Sequence, residues 1–211
     1  MAPKKEKKIL TSKDVLLYYP NLIGYLRFVF MLASFAVAHT NWKLSVGFYF
    51  AAFAGDVLDG YVARAFNQCS KFGGILDMVT DRVSTCGLLM ILSQLYPSYS
   101  FWFIFLVVLD ITSHWFHVMS VSAHHKSKEA LAHRNALLQW YYSIYPLFGY
   151  CCVGTEFFYI LLYVHNFMPH PMIYKAMMFG CLPACILKQV VNVIQMASAA
   201  DAMAEADAKE E

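Results

Sequence analysis

Six long apolar runs set the pattern of this chain, at roughly 22–38, 44–63, 73–95, 99–120, 136–164 and 172–197. Each is near the ~20 residues that a helix needs to cross the hydrocarbon core of a bilayer. The pattern predicts an all-α integral membrane protein, a six-transmembrane-helix bundle over 20–197, with a polar arm at 1–19 and a polar tail at 198–211. Pro20 suits the first turn of the first span. Leu16-Leu17-Tyr18-Tyr19 is expected to begin a short interfacial helix just before it. Pro97 marks the turn into the fourth run, and the fifth is read as one helix from near Asn135 through Tyr141, Tyr142 and Pro146. Asp201 to Glu211 reads as a fraying helix or tail.

Lys and Arg alternate between the connections. The arm holds Lys4, Lys5, Lys7, Lys8 and Lys13, the second connection Arg64 and Lys71, and the fourth Lys126, Lys128 and Arg134. The first has only Lys43, and the third and fifth have none. Basic connections stay on the cytosolic side, so both termini and the end of the second and third helices near residue 60 are expected there. Composition agrees: hydrophobic residues make up 59%, charged residues only 14%, and the mean hydropathy is +0.48, which excludes an ordinary soluble domain. Aromatics at 17% suit interfacial belts. The basic start runs into Thr11-Ser12-Lys13-Asp14 rather than an apolar core, so no secretory signal peptide is expected. Cys69, Cys86, Cys151, Cys152, Cys181 and Cys185 form no zinc pattern, and Cys181 and Cys185 are read as packing residues. No nucleic-acid motif is present.

The acids carry the chemistry. Between Arg27 and Ala200 they are Asp56, Asp59, Asp77, Asp81, Asp110, Glu129 and Glu156, and four of these seven lie between positions 56 and 81. A charge in such a setting is expensive unless compensated. Asp56 and Asp59 are i,i+3 and Asp77 and Asp81 are i,i+4, so each pair shares one helix face. A turn between the two helices lets the faces oppose, with little but Arg64 to neutralise four converging carboxylates. Mg²⁺ or Mn²⁺ suits such oxygen ligands, and two ions about 3.5–4 Å apart form a clamp for displacement at phosphorus. Gly60 and Gly73, next to the acids, are expected to let a substrate approach the backbone.

The phrase D-x2-D-G-x2-A-R-x8-G-x3-D-x3-D, met here from Asp56 to Asp81 at every fixed position, resembles the signature of CDP-alcohol phosphatidyltransferases. These membrane enzymes move a phosphatidyl or related group from a CDP-linked donor to an alcohol and release CMP. The resemblance implies that Asp56, Asp59, Asp77 and Asp81 hold two divalent ions and that Asp81 is also the general base. A carboxylate that also ligates a cation is a weak base, so its help comes mainly from position. It further implies donor contacts from Gly60, Ala63, Arg64, Ser70 and Gly73. For Arg64 a bidentate phosphate contact is sound chemistry, and Ser70 is equally well placed as a helix N-cap. Pro20-Asn21 with Arg27 six positions on resembles the family's first helix, which implies that Asn21 touches the CDP group. The plain alternative is a helix start with a snorkelling arginine.

Asp110, Ser113, His114 and His117 stand at i, i+3, i+4 and i+7 on one stripe, a hydrogen-bonded network or an acceptor site. The phrase D-x-x-S-H-W-x-H and the His124-His125-Lys126-Ser127-Lys128 stretch resemble those of eukaryotic phosphatidylinositol synthases. That implies CDP-diacylglycerol and myo-inositol as substrates, a homodimer, and an endoplasmic reticulum or Golgi membrane. In those synthases a basic residue follows the Tyr-Tyr pair, whereas Ser143-Ile144-Tyr145 stands here, which leaves Lys126 or Arg134 as the substitute. Serine, glycerol phosphate or inositol phosphate as acceptor stays open. An intramembrane prenyltransferase also uses aspartates and Mg²⁺, but with other spacings. A cation transporter leaves the fixed glycines unexplained. Glu156 reads as a luminal helix-end residue in the first place and as a buried partner in the second.

Overall fold

The computed structural model describes residues 10–123 and 136–210. Among these the regular structure is helical: α1 Ser12–Leu16, α2 Tyr19–Ala36, α3 Trp42–Ala65, α4 Lys71–Leu95, a 3₁₀ turn Pro97–Tyr99, α5 Ser100–Ala123, α6 Ala136–Ser143, α7 Tyr145–Phe167, α8 Pro171–Lys175, a π segment Ala176–Cys181, and α9 Leu182–Glu210. Three stretches are long and apolar enough to cross a membrane, Pro97–Ser120, Tyr145–Phe167 and Pro171–Ala208. On α5 the side chains of Phe101, Trp102, Ile104, Val108 and Trp115 are exposed, a surface that suits lipid and not water. The chain divides into two compact units, up to Ser84 and from Thr85 onward.

In the first unit the sequence punctuates each helix. Thr11 and Asp14 form a capping box, with the Thr11 hydroxyl taking the Asp14 N–H and the Asp14 carboxylate taking the Thr11 N–H. The short helix therefore lies at 12–16, just ahead of the Leu16–Tyr19 stretch expected to begin it. Asn41 caps α3 by accepting the Leu44 N–H at 3.1 Å. α3 ends in a Schellman turn: Asn67 takes a positive φ of 54°, and the Gln68 and Asn67 N–H groups bond the Ala63 and Arg64 carbonyls. Asparagine tolerates this conformation better than other non-glycine residues. The turn is then tied to α2, because the Tyr19 N–H donates to the Gln68 side chain at 2.9 Å and Phe66 packs edge-on against Tyr19. Further along, Ser34 donates to the Ser45 carbonyl at 2.8 Å, and Phe30 stacks on Phe48. These contacts hold α2 and α3 side by side.

In the second unit a small core of Leu138, Tyr141, Cys151 and Val191 joins α6, α7 and α9. The run expected as one helix over 136–164 is broken at Ile144, which has a non-helical ψ of 82°. Pro146 explains the break: in a continuous helix it could not donate to the Tyr142 carbonyl and its ring would crowd that group, so a new helix starts with Pro146 in its first turn. Likewise Pro183 cannot donate to the Phe179 carbonyl, and the backbone just before it relaxes into the π segment. There the Gly180 carbonyl takes the Tyr150 hydroxyl at 2.7 Å. The tail is helical to Glu210, with Ala199 and Ala202 buried against Phe116. Alanine's high helix propensity and small size allow both. Glu156 is half-buried mid-helix and accepts the Thr85 hydroxyl at 2.5 Å, not set at a luminal helix end.

α7 and α9 approach closely at Gly154, where a Cβ would lie 2.6 Å from the Ala184 Cβ. Gly154→Val is therefore expected to cost about 1–3 kcal/mol by overpacking and to lower the unfolding midpoint in detergent. Gly149→Ala on the same helix serves as the control, since a Cβ there meets nothing within 4 Å. Equal midpoints for the two variants would show that the close approach is not needed.

Candidate active site

The two aspartate pairs lie where helical spacing puts them, Asp56 and Asp59 on α3 and Asp77 and Asp81 on the first turns of α4. The two pairs converge. Oxygens of Asp56, Asp59 and Asp77 all lie within 4.8 Å of one another. Unit charges 4.8 Å apart repel by roughly 3–4 kcal/mol at an effective dielectric of 20, so such a group needs a cation at its centre.

That cation is Arg27 of α2. Its Nη1 lies 2.6 Å from Asp59 Oδ2 and 2.8 Å from Asp77 Oδ1, and its Nη2 lies 2.8 Å from Asp56 Oδ1 and 2.6 Å from Asp81 Oδ1. Every terminal donor pair of the guanidinium is thus divided between two carboxylates, while Nε is buried with no hydrogen-bond partner. Arg27 itself is 3% exposed. The sequence offers it as part of an opening like the family's first helix or as a snorkelling arginine, and leaves the acids to Arg64. The signal available was an arginine six positions past Asn21, inside an apolar run that otherwise carries no charge. Arg64 is exposed at the end of α3, with its guanidinium beside Gly60. Arg82 forms a longer pair with the other oxygen of Asp81, at 3.8 Å.

Gly55 is the second residue that the sequence did not mark. A Cβ there would stand 2.7 Å from Arg27 Cγ and 3.2 Å from Cδ, so its absence makes room for the arginine stem. At Gly60 a Cβ would meet only Arg64, at 3.5 Å. At Gly73 it would lie 2.9 Å from Asn21 Oδ1 and 3.1 Å from Ser70 Oγ, so its absence lets these two side chains approach the start of α4. Asn21 is buried and donates to the Val15 carbonyl at 2.6 Å. Ser70 caps α4 by taking the Gly73 N–H at 3.0 Å. The Ala63 carbonyl accepts the Gln68 N–H.

The second polar stripe lies on α5. The Ser113 hydroxyl donates to the Asp110 carbonyl at 3.0 Å, and His114 Nδ1 lies 2.8 Å from the same carbonyl and 3.6 Å from Asp110 Oδ1. Ser120 bonds the His117 carbonyl at 2.8 Å. These are bonds within one helix, as in a structural network. Lys126 and Arg134 lie outside the described residues. Among the described residues, the group able to hold a metal is the aspartate set on α3 and α4. It fits a divalent cation: hard oxygen donors converge, and a guanidinium already stands among them as a cation.

A helical chain with this cage defines its class. The model of the CDP-alcohol phosphatidyltransferase family matches residues 17–200, and the chain belongs to that family. Within it, the chain is 40% identical to CDP-diacylglycerol–inositol 3-phosphatidyltransferase 1 of Arabidopsis thaliana, over 94% of this chain and 93% of that one. It is 36% identical to the Homo sapiens protein of the same activity name, over 94% and 97%, and 36% identical to the Saccharomyces cerevisiae one, over 99% and 96%. No solved structure matches the chain.

Proposed function

We propose that this protein transfers the phosphatidyl group of CDP-diacylglycerol to myo-inositol, giving phosphatidylinositol and CMP. The observation that carries the reading is the four-aspartate cage closed on one cation, in a chain whose relatives carry that activity in their names. Asp56, Asp59 and Asp77, with Asp81, would hold two Mg²⁺ or Mn²⁺ ions. When bound, the ions supply positive charge against the donor diphosphate and the departing CMP. Arg64, exposed one turn from Gly60, binds a donor phosphate with its fork of N–H groups. Asn21, Gly60, Ala63, Ser70 and Gly73 shape the donor's surroundings at the turn between α3 and α4.

The inositol hydroxyl oxygen attacks the phosphorus that bears diacylglycerol. The bond from that phosphorus to the CMP oxygen breaks, and the hydroxyl proton passes to Asp81. Asp81 lies outside the tight set of three carboxylates and is bordered by both Arg27 and Arg82, which hold it in place for this role. Lys126 and Arg134 are the candidate cations on the acceptor side, and Asp110, Ser113, His114 and His117 support the α5 stripe. The full reading is a homodimer of six-span subunits in the endoplasmic reticulum membrane, with the aspartates and both termini cytosolic. In α2, α3 and α4 the polar side chains face a site instead of lipid, which lowers their overall hydropathy.

The test is an assay of purified protein in liposomes with CDP-diacylglycerol and a panel of alcohols. Myo-inositol is expected to give equimolar CMP and phosphatidylinositol, with little product from serine, glycerol phosphate or inositol phosphate. Preference for another alcohol would overturn the acceptor, and no CMP with any of them would overturn the transfer reaction.

A further inference from the structure

We infer that Arg27 is the built-in counter-ion of the aspartate cage: it holds the four carboxylates together when no divalent ion is bound, and it competes with the ions for the same oxygens. The inference rests on the metal reading above and goes beyond it, because it makes Arg27 a positioning residue that sets how tightly ions bind.

Three observations support it. The guanidinium lies 2.6–2.8 Å from an oxygen of each of the four aspartates, so it already occupies lone pairs that a divalent ion would take. One positive charge against four negative ones leaves the cage far from neutral. Finally, the stem is accommodated from behind by Gly55, whose missing Cβ leaves room for Arg27 Cγ and Cδ. The close packing of α2 on α3 at Gly55 thus gives the arginine stem its place. Ligands that exclude one another on a shared site are thermodynamically coupled, so removing one raises the affinity of the other.

The experiment uses full-length protein stripped of metal in detergent, with Mn²⁺ alone as the probe. Free Mn²⁺ is followed by electron paramagnetic resonance, and thermal unfolding is recorded with and without the ion. Arg27→Met is expected to bind Mn²⁺ on the order of tenfold more tightly than the parent. It should also unfold at a lower temperature without metal and recover most of that loss when Mn²⁺ is added. Arg27→Lys keeps the charge but has three donors for four carboxylates, so its Mn²⁺ affinity should fall between the two. Should Arg27→Met fail to fold, Arg27→Lys alone decides. Unchanged or weaker Mn²⁺ binding in the folded variants would overturn the competition while leaving the metal reading intact. A parent protein that takes up no Mn²⁺ would overturn both.

Discussion

Chelation with EDTA is expected to take CMP release to background, and added Mg²⁺ or Mn²⁺ is expected to restore it. The charge balance of the cage is the reason. Four carboxylates share Arg27, and all of that guanidinium's terminal donors are already committed at 2.6–2.8 Å. A CDP-linked donor brings a diphosphate of its own into the same region. The side-chain cations nearby are Arg82, already paired with Asp81, and Arg64, which is exposed at the end of α3. Bringing an anionic diphosphate toward this group without further cations adds several repulsions of a few kcal/mol each. Each 1.36 kcal/mol in a barrier is a factor of ten in rate, so such terms are enough to silence the reaction. The measurement is CMP release before and after dialysis against chelator, with the metal returned by titration. Undiminished turnover after rigorous chelation would remove the metal mechanism.

The acids were readable from sequence because the cost of charge in an apolar chain makes each one conspicuous, and helical spacing fixes which pairs share a face. Their partner was not. Arg27 is 29 to 54 positions from the aspartates that it meets, as the difference between residue numbers shows. A single arginine in an apolar helix reads equally well as a snorkelling side chain, and only the packing of α2 against α3 and α4 turns it inward. Glycine shows the same limit. Gly60 and Gly73 stood out because they adjoin the acids, whereas Gly55 matters because of a side chain from another helix. A missing Cβ carries no mark of which neighbour needs the space.

The breaks in the helices were more legible than their treatment. Pro146 and Pro183 are both visible in the sequence, and each acts on the backbone just before it by the ordinary chemistry of a missing N–H. Hydropathy alone joined 136–164 into one run, since Ile144 is as apolar as its neighbours. Conversely, α2, α3 and α4 are not among the three stretches apolar enough to cross a membrane, and polar residues of α2 and α3 are turned toward one another. Arg27, Ser34, Ser45 and Asp59 are all buried. Site-building and apolar spanning thus compete within the same helices.

Asp81→Asn is expected to retain CDP-diacylglycerol while losing turnover by ~10²-fold or more, the usual worth of a positioned base. The substitution keeps the size of the side chain and replaces a carboxylate oxygen with an amide nitrogen, so the reacting hydroxyl would lose the proton acceptor proposed for it. Asp59→Asn is the comparison. Asp59 shares Nη1 of Arg27 with Asp77 inside the tight set, and the role proposed for it is to hold cations. Three carboxylates remain in that variant, so raised Mg²⁺ should recover a large part of its turnover by mass action. Asp81 differs in its surroundings, with Arg27 on one oxygen and Arg82 on the other. No concentration of metal replaces a proton acceptor, so its turnover should stay low across the whole titration. The paired readout is donor affinity and turnover for each variant at increasing metal. If Asp81→Asn returned to near the parent rate at high Mg²⁺, the proton would have to go to water or another group, and Asp81 would keep only the cation-holding role proposed for it alongside Asp59.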